Sequence, residues 1–298
     1  MSSKGVLFFA TCNDNVNYLK IALANALMCK KNLNGIPVSV VTSTDSLNKN
    51  KDLSDLITST FDQIIIDDKT TGTSNIRRYS DTQYASVKDR FINTNRGDAY
   101  NLSPYDETLL MDVDYLVQDS SLNAVWGSVE DFLINDVATD AYHNKLLDGE
   151  FRLNPTGIKM VWATVIYFKK TERAKLIFDT VSFIKENWEY YRSLYCFNGG
   201  LFRNDFAFSI ALHILNGYLE NDEYKKLPVP FILTSTDRDD IYDVGENWII
   251  VMYNDWNMRF NNHPHAFYLS KVDTHNIHIM NKISLARHCD KLIEVYSK

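Results

Sequence analysis

Asp112 and Asp114, separated only by Val113, are the residues of this chain whose type and spacing point most directly to chemistry. They follow Thr108-Leu-Leu-Met111, a short apolar run bounded by polar residues that reads as a buried strand. Alternate side chains of an extended chain share a face, so both carboxylates would point the same way at the strand end. Held that close they repel, and burial beside apolar neighbours would raise the pKa of at least one of them. A divalent cation with oxygen ligands relieves the repulsion, most simply when phosphates complete its shell. The plainer alternative leaves both aspartates facing solvent in a turn, and spacing alone does not choose between the two.

The elements that would position this pair alternate along the chain. Residues 5–10 read as a first strand, and Asn13 or Asp14 would cap a helix over about 16–29, where Leu19, Ala22, Leu23 and Leu27 follow the 3.6-residue period. Residues 37–42 and 61–66 give two more strands, separated by a polar loop with a short helix over 43–55. Three strand units in the first 70 residues argue for a parallel α/β sheet. After a polar stretch over 69–79 that carries Gly72, Arg77 and Arg78, residues 83–93 are expected to form a helix with Lys88 and Arg90. Positions two apart lie on different helix faces, so one of these cations would enter a cleft, and Arg90 is the choice.

Further on, 126–134 suggests a short helix or docking segment, 138–159 is polar with no assignable element, and 160–168 is strongly β-prone. A long helix is expected over 171–190, and a second one over 205–213 with Asn204 as its cap. Short strands near 248–252 and 276–280 precede a closing helix over 283–295.

The composition excludes several classes. The 298 residues carry a net charge of −7, which gives no long-range attraction to nucleic acid. Four cysteines, Cys12, Cys29, Cys196 and Cys289, lack metal-site spacing. No apolar run is long enough to span a membrane, and Val6-Leu-Phe-Phe-Ala10 is too short for a signal-peptide core. Residence in the cytoplasm, the host's if the protein is viral, is the resulting expectation. The 17 tyrosines and 5 tryptophans would serve either a saccharide-stacking surface or core packing. No internal repeat or linker divides the chain.

Pro104-Tyr-Asp-Glu-Thr-Leu-Leu-Met-Asp-Val-Asp-Tyr-Leu-Val117 resembles the strand and metal motif of nucleotide-sugar glycosyltransferases of the GT-A fold, particularly the glycogenin-like retaining branch. There an aspartate–any–aspartate phrase at a strand end holds manganese against the nucleotide diphosphate. Three further stretches fall in family order. Val6-Leu-Phe-Phe-Ala-Thr-Cys12, with Asn17-Tyr18 beyond it, resembles the first nucleotide-binding strand and the helix over the base. Phe202-Arg-Asn-Asp-Phe-Ala-Phe-Ser-Ile-Ala211 resembles the helix whose starting aspartate faces the donor sugar. Ile277-His-Ile-Met-Asn-Lys282 resembles the late segment that gives a histidine to the metal and a lysine to the diphosphate. The chain departs from the pattern in lacking a glycine between His278 and Lys282, in having Trp162-Ala-Thr-Val where many members carry asparagines, and in following Asp205 with Phe206 rather than glutamine.

The resemblance implies an α/β GT-A fold: one Rossmann-like, mostly parallel sheet flanked by helices, with a smaller acceptor-side subregion. It implies a single domain over 1–298, its nucleotide-binding half about 1–120 and its sugar and acceptor half 121–298. The implied activity is retaining transfer of a sugar from a nucleotide diphosphate, UDP-linked by expectation, to an acceptor hydroxyl; the resemblance leaves the acceptor open, and a chain this compact without membrane elements admits a saccharide or a hydroxymethylated base in viral DNA. Mn2+ or Mg2+ is the implied cofactor, held by Asp112, Asp114 and His278, with Asp112 also within reach of the ribose. Lys282 would meet the diphosphate, Asp205 would lie beside the anomeric carbon, and Ala10, Thr11, Asn17 and Tyr18 would contact the nucleotide, with Arg90 as the basic residue on the donor.

Plainer assignments exist for each. Asn204-Asp205 before an apolar periodic run is what any helix N-terminus looks like. His278 between Ile277 and Ile279 would equally be a strand-edge histidine, and His263, His265 and His275 are rival ligands. The alternative class is a metal-dependent nucleotidyltransferase, which also uses paired aspartates at a strand end. Such enzymes often carry a glycine-rich phosphate loop near the first strand, and Ala10-Thr-Cys-Asn-Asp-Asn-Val16 has no glycine. The absence of G-x-G-x-x-G after a strand disfavours a dinucleotide oxidoreductase. A non-catalytic binding module would leave the acidic pair, His278 and Lys282 unexplained.

Overall fold

The structure is a computed structural model that describes residues 3–68, 75–82, 85–141, 152–153, 157–196, 200–219, 226–229, 231–254 and 267–298. The first half builds β1 (Lys4–Phe9), α1 (Tyr18–Asn32), β2 (Val38–Thr42), α2 (Thr44–Lys49), α3 (Ser54–Thr60), β3 (Gln63–Ile66), β4 (Ile76–Ser80), β5 (Ser86–Arg90), α4 (Ala99–Leu102), β6 (Glu107–Met111) and β7 (Tyr115–Leu116). The second half adds β8 (Phe132–Asn135), β9 (Ala138–Asp140), β10 (Trp162–Lys169), α5 (Glu172–Glu186), α6 (Trp188–Leu194), α7 (Asn204–Leu215), β11 (Ile232–Thr234), β12 (Asp240–Gly245), β13 (Trp248–Asn254), β14 (Phe267–Asp273), β15 (Ile277–His278) and α8 (Lys282–Tyr296).

The main sheet has the order β3-β2-β1-β6-β10-β8. β3, β2, β1 and β6 run parallel, β10 is antiparallel to β6, and β8, antiparallel to β10, runs in the direction of the parallel set. The chain is a mixed α/β fold with a mostly parallel central sheet flanked by helices. β1 is apolar and buried along all but its first residue, because helices cover both faces of such a sheet. From β1 the chain first builds outward to β2 and β3, then returns to the opposite side of β1 as β6. The carboxyl ends of β1 and β6 therefore flank a topological switch point, where open α/β sheets hold their ligands. Asp112 is the first residue beyond β6.

Two smaller sheets finish the site. β7-β15-β11-β9 brings the late segment back beside the acidic pair, because β15 pairs antiparallel with β7 and sets His278 opposite Tyr115. The antiparallel β12-β13-β14 sheet packs with α8, whose Leu285, Cys289, Leu292 and Ile293 are buried. Under β10 the core is aromatic. Phe178 stands edge-on to Phe168 at 4.6 Å between ring centres and to Phe208 at 5.5 Å.

Several local expectations are corrected. Residues 86–90 form a strand, not part of a helix, pairing with β4 so that Arg78 faces Lys88 and Ile76 faces Arg90. Cross-strand backbone pairing prevails over the helical tendency of Lys88 and Arg90, and in a strand those two share a face. Positions 83 and 84 and the stretch 69–74 with Gly72 lie outside the described residues. Asn17, not Asn13 or Asp14, caps α1, its side chain accepting from Lys20 N at 3.0 Å. Within 126–134 the main element is β8, which completes the sheet edge. The helix over 171–190 is interrupted at Asn187 into α5 and α6. Arg203 takes the cap position of α7 and Asn204 is its first residue. Of 138–159, β9 is described, together with a bridge between Arg152 and Lys159, and 142–151 and 154–156 lie outside the described residues.

Candidate functional site

Where β6 ends, Asp112 N–H donates to Thr164 O of β10 at 2.8 Å, and the chain turns at once into β7. That turn is held from α1 by Asn25, which is fully buried. Its amide donates to Val113 O at 3.1 Å and Tyr115 O at 2.6 Å, and its oxygen accepts from Val117 N at 3.2 Å. On the other side Ile279 N–H donates to Asp114 O at 2.8 Å. The acidic turn is thus clamped by a helix and by the late segment.

Asp112, Asp114 and His278 converge, and one ligand atom from each lies within 4.8 Å of the others. Asp114 is buried, with Oδ2 3.4 Å from His278 Nε2 and 2.5 Å from Lys282 Nζ. That oxygen accepts no hydrogen bond of good geometry from either neighbour. A buried carboxylate oxygen close to an imidazole nitrogen and to a second carboxylate, its charge met here by the Lys282 ammonium, is a fit to a divalent cation. Two carboxylates suit magnesium or manganese, and the imidazole favours a transition metal over magnesium. On its far side His278 Nδ1 lies 3.5 Å from Thr234 Oγ1, which turns Nε2 toward the carboxylates.

The two aspartates titrate apart. Burial pushes the Asp112 carboxyl up and Asp114 adds repulsion, against the pull of Arg96. Burial also acts to raise Asp114, but the ammonium of Lys282 and the imidazole of His278 overcome it and hold this carboxyl well below its usual range. Lys282 is correspondingly raised: burial opposes its charge, and the charge of Asp114 more than offsets that. It opens α8, with Asn281 as the cap, accepting from Ser284 N at 3.0 Å.

A cavity of about 100 Å3 joins these groups to Asp205, Tyr18, Arg77, Arg96, Trp162 and Arg203. Asp205 accepts from Ala163 N–H at 2.9 Å on Oδ1 and from Arg203 at 2.7 and 3.2 Å on Oδ2. Burial acts to raise its carboxyl, and Arg203 together with that N–H brings it below the ordinary value. Tyr18 is buried, its hydroxyl 3.2 Å from that of Tyr79. A second cavity of about 280 Å3 shares Phe9 and Asn93 with the first and runs past Thr11, Cys12, Ser43, Asp45, Asp67 and Asp68, beyond the ends of β1, β2 and β3.

Of the other expected nucleotide contacts, Thr11 lines the second cavity, whereas Ala10 and Asn17 line neither. Ala10 is fully buried, its N–H donating to Val41 O and its carbonyl accepting from Thr42 Oγ1, each at 2.8 Å. The backbone N–H and carbonyl of Thr11 are both held by the Asn93 amide, at 2.7 and 3.0 Å. The Asn17 side chain is engaged by its helix cap and by Asn50 at 2.7 Å. Arg90 is exposed on the hairpin and does not line either cavity. His275 is exposed with Nδ1 at its own turn, 2.8 Å from Asp273 O, and His263 and His265 lie outside the described residues.

Of the cations that face the cavity, Lys282 was expected and Arg77 was among the basic residues noted before the acidic pair, whereas Arg96 and Arg203 were not singled out by sequence. Arg96 is 3% exposed and donates to Asp112 Oδ1 at 2.7 Å and to the Ala163 carbonyl. Its turn packs against α5 at Gly97, where any Cβ would strike Ser182. The signal available was Asn95-Arg-Gly-Asp98, a turn tetrapeptide carrying a lone arginine shortly before the strand of the acidic pair.

No family model matches the chain, and no curated protein matches it. Among solved structures it is similar to the glycosyltransferase GlyE of Streptococcus pneumoniae, at 11% identity and a TM-score of 0.41, over 76% of this chain and 45% of that one. It is similar to the galactosyltransferase LgtC in complex with donor and acceptor sugar analogues, at 16% identity and a TM-score of 0.42, over 70% of each chain. It is also similar to the 4-diphosphocytidyl-2C-methyl-D-erythritol synthase of Anaerococcus prevotii, at 14% identity and a TM-score of 0.37, over 76% of this chain and 87% of that one. The chain spans less than half the length of the first of these. Likeness at this level carries no assignment of chemistry, which rests on the residues themselves.

Proposed function

We propose that this chain is a metal-dependent glycosyltransferase of the GT-A kind, moving a sugar from a nucleotide diphosphate to an acceptor hydroxyl with retention of configuration. The observation that carries the reading is the meeting of Asp112, Asp114 and His278 beside Lys282 at the switch point of the sheet. Manganese, or magnesium, would be held by those three side chains. When bound, it stabilises the negative charge that builds on the departing diphosphate.

The chain's own groups supply the rest. Lys282, charged at neutral pH by its setting, is available to the diphosphate oxygens, where its charge counts more in the transition state than in the ground state. Arg96 holds one oxygen of Asp112 and so fixes the direction of that carboxylate. Asp205 stays ionised beside the place assigned to the anomeric carbon, and an anion there stabilises the positive charge that develops as the sugar–phosphate bond breaks. The larger adjoining cavity would take the nucleoside, with Asp45, Asp67 and Asp68 among the groups facing ribose hydroxyls. A uridine diphosphate donor is the working choice.

The test is calorimetric titration of uridine, guanosine and cytidine diphosphates, with and without Mn2+, into the parent and into Asp114→Asn. Manganese-dependent binding of one nucleotide by the parent alone supports the reading; equal affinity in every combination sinks it. Transfer is then assayed with saccharide acceptors and with hydroxymethylated DNA. Pyrophosphate released from a nucleoside triphosphate and a sugar phosphate would assign nucleotidyl transfer instead.

A further inference from the structure

Among the described residues, the cavity is lined by more cations than carboxylates. Lys282 is paired with Asp114, Arg96 with Asp112 and Arg203 with Asp205. Arg77 is the cation left over. It rises from β4 on the same side as Tyr79, because positions two apart in a strand share a face, and both side chains turn inward while Ile76 and Arg78 face outward. Its guanidinium carbon lies over the Phe91 ring, 3.8 Å from the ring centre, and its Nη2 donates to Phe202 O at 3.2 Å. Among the described residues it forms no ion pair. Directly across the hairpin stands Asp89, yet that carboxylate is turned to Asn15, accepting from its backbone N–H at 3.0 Å and its side-chain amide at 2.8 Å.

Arg77 and Arg203 line the cavity together with Asp205, whose Oδ2 is already committed to Arg203. Burial, and then the nearby charge of Arg203, press Arg77 toward its neutral form, with Asp205 giving only a lesser compensation. A guanidinium is a planar fork of five donors, and here one bond and one ring face are used. The donors that remain are suited to an oxyanion taken two oxygens at a time. A divalent cation would be matched by the two charges of a sugar-nucleotide diphosphate, so the charge of Arg77 would still be left over.

We propose that Arg77, seconded by Arg203, recognises a carboxylate on the substrate that lies beside Asp205, so that the enzyme handles an acidic sugar of the uronic acid class. The inference rests on the proposed glycosyl transfer. The carboxylate belongs either to the sugar of the donor or to the acceptor, and both present the same chemistry to the guanidinium. A charge-assisted pair of hydrogen bonds in a partly dehydrated site gives a preference over the neutral sugar of about tenfold to a hundredfold.

The experiment has a donor arm and an acceptor arm, each read by calorimetry in Mn2+. In the first, UDP-glucuronate is compared with UDP-glucose; in the second, glucuronate is compared with glucose on enzyme saturated with UDP. Both are run on the parent and on Arg77→Gln, with UDP alone as the control. The expected result is at least a tenfold preference for the acid in one arm, reduced to within twofold in Arg77→Gln while UDP affinity is unchanged. No preference in either arm overturns the proposal, as does a preference that survives in Arg77→Gln. Failure of UDP itself to bind counts against the choice of donor in the underlying reading, and the comparison is then repeated with the nucleotide that does bind.

Discussion

At Asp114, burial and charge pull in opposite directions, and the outcome depends on Lys282 and His278. Lys282→Ala is expected to lower turnover by about 10²–10³, the loss seen when one preorganised charge-stabilising group is removed. Steady-state kinetics decide this, and turnover within twofold of the parent would place Lys282 outside the chemistry. Asp205→Asn should reduce turnover far more than it weakens donor binding, and the anomeric proton coupling of fresh product should report retained configuration. An inverted product would remove the retaining assignment and leave the metal site standing. The same residue carries a pH prediction. Its folded pKa lies below its unfolded value, so the stability it contributes is present above the unfolded carboxylate pKa and is lost as pH falls through the folded one. The difference in urea midpoint between the parent and Asp205→Asn should therefore be constant near neutrality and shrink below about pH 4. A difference that grows on acidification contradicts the direction of the shift.

Among the elements, α1 matters to the site through a residue that touches no substrate. Asn25 satisfies two carbonyls of the acidic turn, and its loss would strand buried acceptors at about 1–3 kcal/mol each. Asn25→Leu should lower the urea midpoint and weaken manganese-dependent nucleotide binding together. Unchanged nucleotide binding in a folded variant would show that the turn holds its shape without this clamp. The late segment works in the same way: β15 reaches Asp114 only because β7 follows the turn immediately and pairs with it. α8 then returns against α1, contributing Leu285, Cys289 and Leu292 to the core, so the segment that brings His278 and Lys282 to the site is also part of the fold.

For the molecule as a whole, the cavity at the acidic pair, of about 100 Å3, is smaller than the 300–1,000 Å3 of ordinary ligand pockets. Part of its wall comes from Arg77 of the β4–β5 hairpin and from Phe91 just after it, and that hairpin is a two-stranded sheet not joined to the main sheet. A hairpin alone is marginal in water, so it is the wall that yields most readily to a ligand and gains most from one. Addition of nucleotide diphosphate with Mn2+ should slow amide hydrogen exchange over 76–90 more than in the β1–β2 core. Protection confined to the core strands would mean that the hairpin is not part of the bound site.

Much of this was legible in the sequence. Leu109, Leu110 and Met111 are buried and Asp112-Val-Asp114 follows at the strand end, because an apolar run with polar ends has few other places in a parallel sheet. The alternation of β1, α1, β2 and β3 was read from periodicity, and α8 was found within a residue or so of its bounds. Periodicity failed at 86–90, where pairing with a partner strand outweighed local propensity, and at the cap of α1, where Asn13, Asp14, Asn15 and Asn17 compete over a short stretch. What no local pattern contains is which distant groups become neighbours. That Arg96 meets Asp112, that Asn25 clamps the turn and that Arg77 faces Arg203 follow from strand order and from the side of β1 to which the chain returns. Local sequence determines what each segment can bury, whereas the register of strands far apart in the chain decides which charges end up sharing one cavity.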